Sequence, residues 1–108
     1  WALPEMTSVA LGKHAVVLRA HAHLDWATPE NSVLVDPNGK QPAADGFFFH
    51  ENGPVNRGFL YDFDEDSFIW GCEQAIKRVE ANPVNTEGLK LQERFSTGKF
   101  VTNILNNL

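Results

Sequence analysis

The chain has 108 residues, of which 43% are hydrophobic and 21% charged, and its formal net charge is −5. This length allows one small domain with a single core, and the composition is that of a globular protein. The basic residues form no cluster, so nucleic acid is not an expected partner. The longest apolar run, Ala15 to Leu18, is far too short to span a membrane, and we expect a soluble, cytoplasmic protein without a membrane span.

The first predicted elements are a short helix and two buried strands. Leu3 to Leu11 carries apolar residues at helical spacing, with Pro4 suited to the first turn and Gly12 to the C-terminal end. Ala15 to Leu18 is a continuous apolar run that predicts a strand covered on both faces in a parallel sheet. Ser32 to Val35 has the same character and predicts a second strand, which a cluster of turn residues ends.

An irregular insertion is predicted over residues 42–60. Three consecutive phenylalanines, Phe47 to Phe49, lie there among glycines and prolines, and no clean period holds. Short strands are predicted at Phe47 to Phe49 and at Phe59 to Tyr61. We expect the three phenylalanines to anchor this loop to the core.

The remainder of the chain is predicted to be helical. From Asp66 onward one helix face carries six small or apolar residues, and Asp64 to Asp66 cap its N-terminal end. Pro83 closes this helix, and two more helical pieces follow at Glu87 to Phe95 and Lys99 to Leu108. The face of the first helix consists of Phe68, Ile69, Cys72, Ala75, Ile76 and Val79. Cys72, the single cysteine, is expected to act as a small core hydrophobe.

The order of these elements predicts an α/β fold. Helix, strand, loop, strand, insertion and helices are typical of the edge of a Rossmann-like parallel sheet flanked by helices. Two strands alone make a poor sheet, and the chain starts at Trp1 without a methionine. We therefore expect residues 1–108 to be a single partial domain of a longer protein.

Four segments in order resemble one enzyme family. Trp1 to Lys13 followed by Ala15 to Leu18 is similar to the donor-site segment of retaining glycosyltransferases with the GT-B fold, of the large GT4-like group. Asn31 to Pro37 resembles the next strand of that family, and the helix from Asp66 resembles the helix that follows it. Glu93 to Ser96, with the sequence Glu-Arg-Phe-Ser, is similar to the motif that commonly closes these chains.

The resemblance implies that the chain is the C-terminal, donor-binding part of a GT-B fold. Such an enzyme transfers a sugar from a nucleotide-sugar to an acceptor hydroxyl, and needs no other cofactor. The acceptor would bind mainly to a missing N-terminal domain, so the isolated chain would be inactive. Of the two glutamates that the family uses at the donor, the first would precede the chain, and Thr7 occupies the position of the second. The implied donor-binding residues are Trp1, Ala2, Leu3, Pro4 and Thr7.

Other patterns allow other functions. His21 and His23 with Asp25 resemble the opening of a metallohydrolase motif, although a zinc site needs further converging ligands, so we assign no metal site. The acidic residues from Asp62 to Glu73 partly match a calcium loop, but they are better explained as a helix cap. Arg57 in the insertion is a candidate contact for an acceptor or a phosphate. The alternative functions are a noncatalytic α/β module that binds a protein or glycan through the phenylalanine-rich loop and a metal-dependent hydrolase.

Overall fold

A computed structural model describes residues 1–54 and 58–108 and has a mixed α/β fold. A 3₁₀ helix follows the first strand. The elements in chain order are α1 (Leu3–Ala10), β1 (Val16–Leu18), the 3₁₀ helix (His21–Asp25), β2 (Val33–Val35), β3 (Gly39–Pro42), β4 (Phe59–Asp62), α2 (Glu65–Ala81), α3 (Thr86–Leu89), α4 (Leu91–Arg94) and α5 (Thr97–Asn106).

The predicted pair of buried strands is confirmed. β1 and β2 run parallel, with Val17 opposite Leu34. Helix α2 covers one face of this small sheet so closely that a Cβ atom added to Gly71 would lie 2.8 Å from side-chain carbons of Val16 and Val35. The other face contributes Val17 to the core, together with residues of α1, α4 and the loop before β2. This core consists of Met6, Val9, Val17, Trp26 and Leu91.

The segment between β2 and α2 contains an antiparallel hairpin. β3 pairs with β4, and Gln41 lies opposite Leu60. The strand predicted at Phe59 to Tyr61 is confirmed as β4, whereas β3 was not predicted, because its sequence of Gly, Lys, Gln and Pro has low strand propensity. The strand predicted at Phe47 to Phe49 is wrong, since Phe47 and Phe48 form bends and Phe49 is irregular, in the connection between β3 and β4.

The long helix α2 begins and ends close to the predicted positions. The Asp64 side chain caps it by accepting hydrogen bonds from the backbone N–H and the hydroxyl of Ser67, both at 3.1 Å, which confirms the predicted cap. Its predicted apolar face is not buried, however. The exposed fractions of Phe68, Ile69, Ile76 and Val79 lie between 44% and 58%. The sheet below α2 has only two strands, so it covers little more than the strip around Gly71.

The C-terminal region differs in detail from the prediction. The single helix predicted at Glu87 to Phe95 is divided into α3 and α4, and Lys90 joins them. Ser96 caps α5 through its hydroxyl, which accepts the Lys99 N–H at 3.3 Å, so α5 begins two residues earlier than predicted. Its apolar side chains are also exposed, and Leu105 is 62% exposed.

Among the helices of the described residues, none combines the length and the apolar composition that a membrane span requires.

Asn85 joins three segments that the sequence separates widely. Its side-chain amide donates to the carbonyl oxygens of Lys13, at 3.0 Å, and Asn31, at 2.7 Å. Its side-chain oxygen accepts the Gly88 N–H at 3.0 Å and caps α3. The residue is only 3% exposed, so these bonds are made away from water. Asn85 therefore holds the ends of α1 and of the loop before β2 against α3.

Candidate functional site

A cavity lies at the carboxyl end of β1, between the start of α1, the 3₁₀ helix and the β3–β4 hairpin. Its volume is about 530 Å³, which is in the range of small-molecule sites. Ligands of α/β proteins commonly bind at this end of parallel strands. We call it the β1 cavity, and it is lined by Ala2, Leu18, Ala20, His21, Ala22, His23, Gln41, Phe59, Leu60, Tyr61, Asp62 and Phe63.

The N-terminal end of α1 borders this cavity through Ala2. Ala2 has a left-handed backbone conformation, with φ 53° and ψ 69°, and its methyl side chain cannot cap the helix. The preceding Trp1 is held from two sides: the Trp26 Nε1–H donates to its carbonyl oxygen, and its ring lies 5.1 Å from the Phe95 ring in an edge-to-face arrangement. The start of α1 is thus fixed by the buried core, with the positive end of the helix dipole next to the cavity.

The 3₁₀ helix brings two histidines to the cavity. His21 also has a positive φ, of 49°, and its ring centroid lies 4.5 Å from that of Tyr61 on β4. The Nδ1–H of His23 donates to the carbonyl oxygen of Leu18 at 2.9 Å, which ties the 3₁₀ helix to the end of β1. Ala2 and His21 are the only non-glycine residues with positive φ in the described ranges, and both line this cavity. Such backbone strain concentrates at functional sites.

The hairpin contributes an amide and a carboxylate to the cavity lining. The Gln41 Nε2 donates to Asp62 Oδ1 at 3.0 Å, across the two strands. The second carboxylate oxygen remains able to accept hydrogen bonds from a ligand, and the Gln41 carbonyl oxygen can accept as well. The ring of Tyr61 next to them is flanked by Lys40, whose Nζ lies 5.1 Å from the ring centroid. Polar acceptors and aromatic rings therefore converge in a mostly apolar cavity.

The predicted donor-binding residues lie in different surroundings. Ala2 lines the β1 cavity, whereas Trp1 packs on Phe95 beside a smaller depression at the start of α5. Leu3, Pro4 and Thr7 are exposed on α1 and do not line the β1 cavity. Arg57, the predicted acceptor or phosphate contact, lies outside the described residues.

The prediction from sequence did not include His21, Tyr61, Asp62 or Gln41 as donor-site residues. The available signal for His21 was its position three residues after a buried strand, because the carboxyl ends of parallel strands face the ligand crevice. No such signal existed for the hairpin residues, whose position depends on pairing across a long connection.

In the described ranges, no three side chains of His, Cys, Asp or Glu are grouped as a metal site would require.

The phenylalanine-rich loop is ordered by Asp45. Its Oδ1 accepts the backbone N–H groups of Phe47, Phe48 and Phe49, each at 2.9 Å. The three rings are not anchored to the core, as the sequence had predicted, but are 76%, 73% and 49% exposed, respectively. They point outward because the backbone N–H groups, rather than the side chains, turn toward Asp45.

Acidification is expected to disorder this loop. The N–H groups of Phe49, Phe47 and Phe48 lower the pKa of Asp45 from its ordinary value of 3.8, because they stabilise the charged carboxylate. A lowered folded-state pKa means that the stabilisation is present above pH 3.8 and is lost as the pH falls through the lowered value. The three amide resonances should therefore shift together below pH 3.8 in nuclear magnetic resonance spectra.

The matched control for this titration is Asp45→Asn. It should show altered amide resonances for the three phenylalanines already at neutral pH, with no common transition on acidification. Independent titration of the three amides in the unsubstituted chain would contradict the shared role of Asp45.

Comparison with known proteins adds no relative to this chain. No protein-family model, no curated protein and no solved structure matches it. The resemblance in the sequence and the geometry of the β1 cavity are therefore the two grounds for a function.

Proposed function

We propose that the chain is the donor-binding part of a glycosyltransferase with a Rossmann-like, GT-B-type architecture. It would bind a nucleotide-sugar, and a second domain of the same enzyme would bind the acceptor whose hydroxyl receives the sugar. The observation that carries the proposal is the position of the two strained residues, Ala2 and His21, on one cavity at the carboxyl end of β1. The donor-site segment identified by resemblance begins at the same place.

The chemistry of the cavity suits a glycosyl diphosphate. The positive end of the α1 dipole, which borders the cavity at Ala2, favours the negative diphosphate. Asp62 and Gln41 provide acceptors for sugar hydroxyls, and the ring of Tyr61 provides an apolar surface for the sugar face. Thr7, one turn further along α1, remains the predicted contact to the ribose. In such an enzyme most of the rate enhancement comes from positioning and from stabilising the departing diphosphate.

Binding of nucleotide-sugars tests this proposal. Titration calorimetry with a panel of uridine, guanosine and adenosine diphosphate sugars should find a donor that binds the isolated chain, without turnover. Asp62→Asn should weaken the binding of that donor about tenfold, because a charged acceptor of sugar hydroxyls is lost, and should leave the corresponding nucleoside diphosphate unaffected.

The control variant is Asp66→Asn, which removes a carboxylate from the first turn of α2, away from the β1 cavity. It should bind the donor as the unsubstituted chain does. A chain that binds none of the panel, or an Asp62→Asn variant that binds the nucleotide-sugar unchanged, would contradict the proposed donor site.

A second candidate function is favoured by the exposure of Phe47 to Phe49. A loop that displays three exposed aromatic rings is typical of an interaction surface, and supports a noncatalytic module that binds a protein or glycan. The nucleotide-sugar titration separates the two functions. Under this alternative, donors fail to bind, and the double variant Phe47→Ser with Phe48→Ser loses the partner.

A further inference from the structure

A second concave surface lies between α2, β2 and the loop before β2. Its volume is about 450 Å³. We call it the basic groove, and its polar and aromatic lining residues are Arg19, Ser32, Trp70, Gln74, Lys77 and Arg78. None of them lines the β1 cavity, so the two surfaces are separate.

The charge of the basic groove is opposite to that of the chain. Three of the nine lysine and arginine residues line it, and none of its lining residues in the described part of the chain is acidic. The chain as a whole carries a net charge of −5. A concave surface of one sign attracts ligands of the other sign, so the preferred ligand is an anion.

The three cationic side chains of the basic groove differ in their bonding partners. Arg78 donates through its guanidinium to the carbonyl oxygen of Pro29 at 2.7 Å, which fixes the group, and it makes no ion pair with an acidic side chain in residues 1–54 and 58–108. Arg19 contacts Asp36 through Nε at 2.8 Å, and both side chains are largely exposed. Lys77 makes no ion pair with a described residue. The groove therefore holds two cations that have no acidic partner among the described residues and one that shares an exposed carboxylate.

Helix α2 aligns an aromatic ring with these cations. Trp70, Gln74, Lys77 and Arg78 follow one another at helical offsets of 0, 4, 7 and 8, so they share one face of the helix. The Trp70 ring is 50% exposed and forms part of the groove wall. An exposed ring that lines the same groove as two cations can hold a planar base by stacking while the cations hold a phosphate.

We propose that the basic groove binds a nucleoside phosphate, at a site distinct from the β1 cavity. The base would stack on Trp70, and the phosphate would contact Lys77 and Arg78, with Arg19 as an additional contact. This site does not depend on the proposed glycosyltransferase function, because it shares no residue with the donor cavity. A nucleotide bound there would be a ligand in addition to the donor.

Adenosine monophosphate and inorganic phosphate are suitable probes, measured by titration calorimetry at low ionic strength. Lys77→Gln should weaken the binding of both about tenfold, since it removes a charged contact to the phosphate. Trp70→Leu should weaken adenosine monophosphate about tenfold and leave inorganic phosphate unchanged, since only the nucleotide has a ring to stack.

Asp36→Asn is expected to change the affinity for both probes in the opposite direction. It releases Arg19 from its carboxylate partner and should strengthen the binding of both probes about threefold. Lys90→Gln is the control, because Lys90 pairs with Glu87 outside the groove and its loss should change neither affinity.

Three results would overturn the proposal: no binding of adenosine monophosphate by the unsubstituted chain, equal binding by the Lys77→Gln variant, or weaker binding by Asp36→Asn. Competition with a nucleotide-sugar that binds the β1 cavity shows in which of the two sites adenosine monophosphate binds. Adenosine monophosphate in the basic groove should not displace a nucleotide-sugar, and Asp62→Asn should leave its affinity unchanged. Displacement of the nucleotide-sugar would place both ligands in the β1 cavity and would overturn the second site.

Discussion

Replacing Gly88 with alanine is expected to lower the free energy of unfolding by about 3 kcal/mol, as for strong overpacking of a core. Gly88 is buried where α3 meets α1, and an added Cβ atom would overlap the carbonyl oxygen of Val9. It would also lie 2.9 Å from Val9 Cγ1 and from Asn85 Nδ2. The nearest obstacle is backbone, so the strain can be relieved only if the two helices separate. Urea denaturation of the two chains measures the difference.

Gly98→Ala is the matched control for this substitution. Gly98 lies in the first turn of α5, and an added Cβ atom would meet no other atom within 4 Å. Alanine there should raise the free energy of unfolding by about 0.5 kcal/mol, because it reduces the freedom of the unfolded chain. A Gly88→Ala chain as stable as the Gly98→Ala chain would show that α3 does not approach α1 as closely as the structure has it.

Asn85→Ala is expected to lower the free energy of unfolding by about 4 kcal/mol, or to abolish the cooperative transition. Three side-chain hydrogen bonds are lost, and the carbonyl oxygens of Lys13 and Asn31 and the N–H of Gly88 lose their partner. Burial makes this loss severe, because water does not readily replace the amide. Asn85→Asp should be similarly destabilising, since it retains the cap on Gly88 but places a carboxylate against two carbonyl oxygens.

Asn107→Ala is the control for the loss of an asparagine side chain. Asn107 also donates to a backbone carbonyl, that of Asn103 at 2.7 Å, but it does so in full exposure at the end of α5. Its replacement should change the free energy of unfolding by less than about 0.5 kcal/mol. Equal effects at Asn85 and Asn107 would contradict the role of Asn85 in joining the three segments.

Both substitutions would also affect the β1 cavity. Gly88 and Asn85 hold the C-terminal half of α1 in place through Val9 and Lys13, and the other end of α1 presents Ala2 to the cavity. A shift of α1 would move Ala2 relative to His21. We therefore expect donor binding to fall in proportion to the loss of the folded state, and any further loss would report displacement of α1.

Apolar patterns were sufficient to predict the elements that form locally. The runs at Ala15 to Leu18 and Ser32 to Val35 predicted β1 and β2, and capping residues around Asp64 predicted the start of α2. In each case neighbouring residues determine the structure, through burial on both faces or through a cap within the same turn. Elements that depend on distant partners were missed. β3 forms only because β4 pairs with it across the intervening connection.

Periodicity identified the apolar face of α2 but did not predict its environment. Ile76 and Val79 have the spacing of a buried face, and yet they remain exposed because the sheet beneath them ends after two strands. Conversely, the contact between α2 and the sheet depends on Gly71, which contributes nothing to an apolar pattern. Hydrophobic spacing specifies which face of a helix can be buried, whereas the size of the surface opposite it specifies how much is buried.

The candidate site was predicted only in part, for a similar reason. The resemblance and the signals for a helix start predicted a donor site at Trp1 to Pro4. Of these residues, Ala2 lines the β1 cavity in the structure. The positive φ of His21 and the approach of Asp62 and Gln41 are tertiary results, because they require the 3₁₀ helix to close on the end of β1 and the hairpin to fold over it.

The sequence by itself determined α1, β1, β2 and the capped start of α2, because each depends on an apolar pattern or a cap within one short segment. Only the tertiary structure decided that Ala2, His21 and Asp62 share one cavity. It also decided that Phe47 to Phe49 face outward, since Asp45 holds their backbone rather than their rings. Local patterns set the backbone conformation, while the positions of functional side chains depend on packing between distant segments.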